Sequence, residues 1–199
     1  MEKLKLLTLD VYISICTVYV FIVSSYAPTS AHSEVEWEAY YDAISAALAR
    51  RPPNAIAIIG ADTIQNASIG RGNLSDSDND NDIESLNVVG SFGIERINDA
   101  GRRLRVFMET HQIAALSTFF NKKFYSTWTH HPVSKCSYQI DHVFPFRENL
   151  RHFSDAGSVS GQLIDSDHRA MKATLRSLVP PKKKRRLKNE RQKGKTNAI

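Results

Sequence analysis

The chain has only two cysteines among 199 residues, Cys16 and Cys136, and this scarcity excludes a disulfide framework. One lies in an apolar run and the other in a polar stretch, which favours a reduced, intracellular protein. Internal repeats are also missing, which excludes a solenoid. With 42% hydrophobic residues, the chain is long enough to bury the core of one α/β domain.

Two metal-site patterns are incomplete. A calcium loop needs glycine at its sixth position and glutamate at its twelfth, where this chain has Asn81 and Asn87. A solvated loop is therefore the favoured interpretation for the alternating aspartates, which are Asp76, Asp78, Asp80 and Asp82. A second group has no zinc-ligand spacing, so we interpret it as structural or substrate-facing polarity: His130, His131, Cys136 and His142.

Positive charge is concentrated at the C-terminal end. Residues 180–199 contain nine Lys or Arg and one Glu, a net charge of +8, whereas the whole chain carries +5, so residues 1–179 carry −3. The basic pI therefore describes the tail. We predict a disordered basic tail over 179–199 that is recognised by an import receptor, making the protein nuclear. The tail would also bind nucleic-acid phosphates, through Lys182, Lys183, Lys184, Arg185 and Arg186.

The N-terminus imitates a secretory signal peptide. An apolar run is followed by Ser25-Tyr26-Ala27, which resembles a cleavage site, and by glycosylation sequons at Asn66 and Asn73. Against secretion, Val11–Val23 is rich in β-branched and aromatic residues, which favours a buried strand. Asp10 at membrane depth would cost about 2.5–3.5 kcal/mol, so no stable membrane partner is expected. A secreted form with glycans on the sequons stays the alternative.

Hydrophobic patterns predict alternating strands and helices. The first half should contain one long strand, or two joined by a bend, over Val11–Val23, then a helix capped by Ser33, then a strand over Ala55–Ile59. The apolar stripe of that helix is Val35, Ala39, Ile44, Ala47 and Leu48. The remaining predicted elements are an exposed loop over 71–93, a helix from Asp99 to about Ala115, strands at Thr127-Trp128-Thr129 and Tyr138–Phe144, and a strand or helix over His168–Leu178.

Acidic residues at predicted strand ends, together with one histidine, indicate phosphodiester chemistry. Asp62 follows an apolar strand, Asp141 interrupts another, and Asp167 precedes His168. A histidine can protonate or stabilise a phosphate oxygen, while a carboxylate holds its ring in one tautomer. An aspartate inside an apolar strand must be paired or functional, because an unpaired buried carboxylate is costly. Three acidic positions joined by a sheet can bind a divalent metal and position water.

An ordered set of motifs resembles the endonuclease/exonuclease/phosphatase superfamily. The motifs are Ser24-Ser25-Tyr26-Ala27-Pro28-Thr29, Ile58-Ile59-Gly60-Ala61-Asp62, Asn98-Asp99-Ala100-Gly101-Arg102-Arg103-Leu104, Thr127-Trp128-Thr129, Tyr138-Gln139-Ile140-Asp141-His142 and Ser166-Asp167-His168. Within this superfamily, the sequence resembles endonuclease domains of LINE-type (non-LTR) retrotransposons and craniofacial development protein 2-like sequences. The resemblance implies the C-terminal part of a two-sheet α/β sandwich, with residues 1–178 forming a partial domain that contains the flexible loop 71–93.

The resemblance also implies catalytic roles. His168 would contact the scissile phosphate and Asp141 would support it, while Asp167 would bind the metal or orient this pair. Tyr26 would hydrogen-bond a phosphate oxygen. Asp62 would bind the metal and activate or align the attacking water. The implied cofactor is Mg²⁺ or Mn²⁺, and the implied substrate is DNA, with RNA as the alternative.

Two further residues complete the implied site. Trp128 belongs either to the core or to the nucleic-acid contact, since an aromatic beside a cleft can touch a base. Asn66 would take part in catalysis, although the family has Asp-x-Asn where this chain has Asp62-Thr63-Ile64-Gln65-Asn66.

The family's N-terminal half, with a metal-binding glutamate and an asparagine, precedes the Tyr-x-Pro loop, whereas this chain begins one strand before that loop. We therefore expect a truncated, impaired Mg²⁺-dependent endonuclease of retrotransposon origin. One alternative is a catalytically inactive remnant whose basic tail binds nucleic acid or an import receptor. A second alternative is a phosphatase of the same superfamily that acts on lipids or small molecules.

Overall fold

The computed structural model describes residues 6–13, 18–29, 31–63, 68–71, 88–94, 96–131, 137–159 and 166–176. Within these ranges the strands are β1 (Leu6–Ile13), β2 (Val18–Tyr26), β3 (Ile56–Asp62), β4 (Asp141–Pro145), β5 (Phe153–Ser158) and β6 (Met171–Leu175). The helices are α1 (Glu34–Ala49) and α2 (Asp99–Thr110). No helix in these ranges is long and apolar enough to cross a membrane.

Two sheets and two helices form three layers, which confirms the predicted two-sheet α/β architecture. The first sheet has the order β1-β2-β3-β4, and β5 pairs with β6 in the second. Strands β2 and β3 are parallel because α1 carries the chain back between them, whereas β1–β2, β3–β4 and β5–β6 are antiparallel.

The hydrophobic core is divided between the two faces of the first sheet. Side chains alternate between the faces of a strand, so Ile59 packs towards the helices while Ile58 packs towards β5 and β6. The helical side is covered by Tyr40, Ile44, Leu104 and Met108. The other side meets Phe153 and Ala156 of β5. This alternation also decides on which face the polar residues at the strand ends lie.

Helix α1 begins where the sequence predicts. Ser33 is its N-cap, and the Ser33 backbone N–H donates to the Glu36 carboxylate at 2.8 Å, forming part of a capping box. The predicted apolar stripe is partly wrong, because Val35 and Ala39 are exposed. Tyr40 is buried instead, since its ring packs against the sheet.

Helix α2 begins at Asn98, whose side-chain oxygen accepts from the N–H of Gly101 at 2.9 Å and from the N–H of Ser68 at 3.1 Å. The Ser68 carbonyl lies so close to Gly101 that no Cβ fits there. The Asn-x-x-Gly segment therefore joins the start of α2 to residues 68–69.

The predicted end of α2 near Ala115 is wrong. The helix ends at Thr110, and Gln112 has a φ of 53°, which breaks the helical path. Ile113 then bridges to Phe146. The chain therefore leaves the helix to pair with the segment that follows β4.

Several other predictions need correction. Thr127-Trp128-Thr129 is not a strand, because Thr127 follows a 3-10 turn at Phe124–Ser126. The strand predicted over Tyr138–Phe144 begins at Asp141. Within the predicted exposed loop 71–93, Val88 and Val89 are buried, whereas Ser91 and Phe92 are exposed as predicted. Residues 72–87 lie outside the described ranges.

The structure decides between alternatives that the sequence left open at the N-terminal apolar run and at residues 168–178. The N-terminal apolar run forms two strands, β1 and β2, and residues 171–175 form a strand rather than a helix. Strand β5 was not predicted. Its sequence, Phe-Ser-Asp-Ala-Gly-Ser, has neither the β-branched content nor the apolar alternation that signals a strand.

Candidate active site

Three of the predicted site residues form one row across the first sheet. Tyr26 pairs with Asp62 across β2 and β3, and Asp62 pairs with Asp141 across β3 and β4. Residues directly opposite each other on neighbouring strands point to the same face. By strand alternation, this is the face that Ile58 presents to the second sheet. The sheet therefore brings one phenol and two carboxylates to the same face at one end of the strands.

His168 joins this row from the segment that leads into β6. Its Nδ1–H donates to Oδ2 of Asp141 at 3.0 Å. The turn before it is fixed locally, because the His168 backbone N–H donates to the Ser166 hydroxyl at 3.1 Å. Both side chains keep partial contact with solvent, at 34% exposure for His168 and 21% for Asp141. Asp141 therefore holds the His168 imidazole in place, and a ligand can still reach the ring.

Thr129 connects the segments that carry this pair. Its fully buried hydroxyl accepts from the backbone N–H of Ile140 at 3.1 Å and from that of Asp141 at 2.9 Å. Its carbonyl accepts from the N–H of Arg169, and its own N–H donates to the Tyr138 carbonyl. One residue thereby ties the start of β4 to the residue that follows His168.

Asp62 stands in an environment that favours its protonated form. Burial is the largest cause that raises the pKa of Asp62 above its ordinary value, and the Asp141 carboxylate is the second. The imidazoles of His168 and His130 act in the opposite direction but do not reverse the shift. A carboxylate with a raised pKa is a stronger base, and a cation beside it would offset the repulsion from Asp141.

A second polar contact lies on the other side of His168. Nε2–H of His130 donates to Oδ2 of Asp167 at 3.0 Å, and this bond lowers the pKa of Asp167. The His130 and His168 rings lie 4.5 Å apart between centroids. The backbones of these two histidines also form a β-bridge. Asp167 is therefore held by His130 rather than by the His168–Asp141 pair.

The structure offers two groups of metal-binding side chains. Each group has one ligand atom per residue, with all of these atoms within 4.8 Å of one another: Asp62, Asp141 and His168 in the first, and His130, Asp167 and His168 in the second. The first group contains two carboxylates, one with a raised pKa. Oxygen donors of this kind suit Mg²⁺ or Mn²⁺, so the residues present fit the implied ion.

Trp128 lies at the edge of the site under an arginine. The Arg169 guanidinium carbon lies 3.2 Å from the centroid of the Trp128 ring, and His131 packs beside it with its ring centroid 5.2 Å away. Trp128 is half-buried and belongs to neither hydrophobic cluster. Its predicted contact with nucleic acid stays a prediction.

Other predicted residues lie elsewhere or outside the described ranges. Asn66 and the basic residues 182–186 are outside, as are the acidic loop 76–82, the sequon Asn73 and both cysteines. Of the four residues considered as zinc ligands, the three that the structure describes, His130, His131 and His142, do not form one cluster. His142 is fully buried, its Nε2–H donates to the Gln139 carbonyl at 3.0 Å, and burial lowers its pKa to about 4. His131 contacts the Ser137 hydroxyl.

Three residues beside the site were not assigned to it from the sequence. Thr129 and His130 stood in or next to the Thr-Trp-Thr motif, and Arg169 follows His168 directly. Their positions within or next to these motifs could have indicated that they belong to the site. Their partners are 11 to 44 residues away along the chain, so the contacts themselves could not be read from local spacing.

The layered sheets and the site define the class of fold. The chain has the α/β sandwich fold of the endonuclease/exonuclease/phosphatase superfamily, as the ordered motifs predicted. No protein-family model matches the sequence. None of the curated proteins matches it either.

Solved nuclease structures share this fold. One is the endonuclease domain of TRAS1, a telomere-specific non-LTR retrotransposon, with a TM-score of 0.55 and 15% identity over 87% of this chain and 64% of that chain. The 3'-5' exonuclease NExo from Neisseria meningitidis gives a TM-score of 0.52 and 12% identity over 78% of this chain and 61% of that one. The AP endonuclease LMAP from Leishmania major gives a TM-score of 0.53 and 12% identity over 86% of this chain and 54% of that chain. This chain thus spans under two thirds of the length of each.

Proposed function

We propose that the protein is a divalent-metal-assisted phosphodiester hydrolase that acts on nucleic acid. The observation that carries this proposal is the bonded His168–Asp141 pair beside Asp62 at one end of the sheet. The nuclease structures that share the fold support a nucleic-acid substrate. DNA is the favoured substrate and RNA the alternative.

In this proposal each side chain acts at a stated atom. Nδ1 of His168 is bonded to Asp141, so Nε2 is the nitrogen that meets a phosphate oxygen, and the Asp141 carboxylate stabilises the positive charge on the ring. Asp62 accepts a proton from the attacking water, which its raised pKa favours. The Tyr26 side chain is 56% exposed, so its hydroxyl is accessible to a phosphate oxygen. A bound Mg²⁺ or Mn²⁺ would supply charge stabilisation for the phosphoryl oxygens.

We further propose that this hydrolase derives from a retrotransposon endonuclease and works slowly. The similarity to the TRAS1 domain supports the origin. The slow rate is expected from the resemblance, because the family binds its metal with a glutamate, whereas the two metal-binding groups among the described residues consist of aspartate and histidine. Nuclear import through residues 182–186 is part of the same proposal and rests on the sequence of the tail.

A plasmid-nicking assay tests the proposed function. Supercoiled DNA is incubated with the purified chain in Mg²⁺ or Mn²⁺, with and without chelator, beside His168→Ala. The matched control is His152→Ala, because His152 lies in the turn before β5 and in neither metal-binding group. We expect relaxation by the wild type and by His152→Ala, and its loss in His168→Ala and with chelator. A folded wild type that leaves the plasmid supercoiled in both metals would refute the proposal.

A further inference from the structure

We propose that His130, Asp167 and His168 form a second metal site, selective for a transition-metal ion such as Zn²⁺. One nitrogen of each imidazole and one carboxylate oxygen lie within 4.8 Å of one another. Two imidazoles and one carboxylate suit zinc and its neighbours in the first transition row, whereas Mg²⁺ prefers oxygen donors. The two groups share His168, but this one has two imidazoles and one carboxylate, whereas the group of Asp62, Asp141 and His168 has one imidazole and two carboxylates.

The backbone fixes two of the three ligands relative to each other. His130 and His168 face each other across a β-bridge, and their ring centroids lie 4.5 Å apart. His130 is about nine-tenths buried, so its ring cannot turn freely away from the site. A preformed pair of imidazoles reduces the ordering that metal binding requires.

Asp141 would support the second site from outside it. A histidine that binds a metal typically donates its other ring N–H to a carboxylate, which orients the ring and makes it a better ligand. The bond from Nδ1 of His168 to Asp141 is already present at 3.0 Å. Binding through Nε2 of His168 would keep that bond intact.

Asp167 is the ligand that can move to bring the three ligand atoms close enough for a tetrahedral ion. Ligand atoms around a tetrahedral ion with bonds of about 2.1 Å lie about 3.4 Å apart, closer than the outer limit of 4.8 Å seen here. The Asp167 side chain is 54% exposed and already lies 3.0 Å from Nε2 of His130. It can move with the ion, which would replace the proton on that nitrogen.

Filling this site has a consequence for the proposed hydrolysis, and this step rests on the proposed function. An ion on Nε2 of His168 occupies the nitrogen that would meet the phosphate. Zn²⁺ should therefore inhibit activity supported by Mg²⁺. Substitution of His130 should relieve that inhibition, because it removes a zinc ligand and leaves His168 in place.

Calorimetric titration of the full, tag-free chain with Zn²⁺, and separately with Mg²⁺, tests the site directly. We expect His130→Gln and Asp167→Asn to weaken Zn²⁺ binding at least tenfold, while Mg²⁺ binding by His130→Gln changes less than threefold. The matched control is His131→Gln, since His131 is the neighbouring, exposed histidine and belongs to neither group. It should bind Zn²⁺ like the wild type.

Three results would overturn the inference: no Zn²⁺ binding by the wild type, equal Zn²⁺ affinity in the wild type and Asp167→Asn, or an equal loss in His131→Gln. The exposed Asp167 variant keeps the test decisive if His130→Gln fails to fold. These binding results stand whether or not the chain nicks DNA, so the second metal site and the proposed function can fail separately. In the nicking assay, equal inhibition of wild type and His130→Gln by Zn²⁺ would refute the inhibitory role.

Discussion

Replacement of Thr129 by valine should damage both the stability of the domain and the proposed activity. Valine has nearly the same shape but lacks the hydroxyl that accepts from the N–H groups of Ile140 and Asp141. Leaving a buried donor without a partner costs about 1–3 kcal/mol, so two such donors should lower the free energy of unfolding by about 2–6 kcal/mol. The Asp141 backbone would also shift, and His168 with it.

A matched substitution separates these two effects. Thr118 is also fully buried, and its hydroxyl accepts from the N–H of Gly90 at 2.7 Å and donates to the Ala115 carbonyl at 2.6 Å, away from the site. Thr118→Val should therefore lower stability comparably. Only Thr129→Val should also lower the nicking rate of the folded protein, by about tenfold to a hundredfold, because small displacements of catalytic groups are costly.

Urea unfolding gives the free energies, and the nicking rate is measured at a temperature where both variants are folded. Equal nicking rates in the two variants would show that Thr129 does not position the Asp141–His168 pair. An unchanged free energy of unfolding in Thr129→Val would contradict the hydrogen-bond account itself.

Three further predictions follow from the same contacts. Asp62→Asn should slow nicking by about 10²–10⁴-fold if Asp62 is the base, and a rate within threefold of wild type would exclude that role. Burial raises the pKa of Tyr41 to about 12. The stability that the neutral Tyr41 phenol contributes is therefore complete below pH 10 and is lost as the pH rises from 10 towards 12. Between pH 8 and pH 11 the wild type should therefore lose about 1.4 kcal/mol more unfolding free energy than Tyr41→Phe, and equal losses would contradict this. Gly101→Ala should lower the free energy of unfolding, measured by thermal or urea unfolding, since the Ser68 carbonyl occupies the space of a Cβ. Helix propensity alone predicts the opposite, a rise of about 1 kcal/mol in that free energy.

Much of the fold and part of the site could be predicted from the sequence, for local reasons. The apolar run before Asp62 predicts a buried strand, and Ser33 followed by Glu36 predicts the start of α1. Asp141 could be singled out because a carboxylate in an apolar strand needs a partner. The structure supplies that partner in His168.

The missed features depend on contacts between distant segments. Helix α2 ends early because Gln112 adopts a positive φ and Ile113 pairs with Phe146. The partner of His130, Asp167, is 37 residues away, and only the folded arrangement of residues 129–131 beside 167–169 brings them together. Local spacing contains no information about such a contact.

The most direct test of the central claim is a double-mutant cycle on the nicking rate with Asp141→Asn, His168→Ala and the double variant. If Asp141 acts by holding the His168 ring rather than as an independent metal ligand, the double variant should be no slower than His168→Ala alone, because the ring that Asp141 holds has been removed. Rate losses that multiply would show that the two residues act independently. That result would contradict the account of the site as a histidine held in place by Asp141.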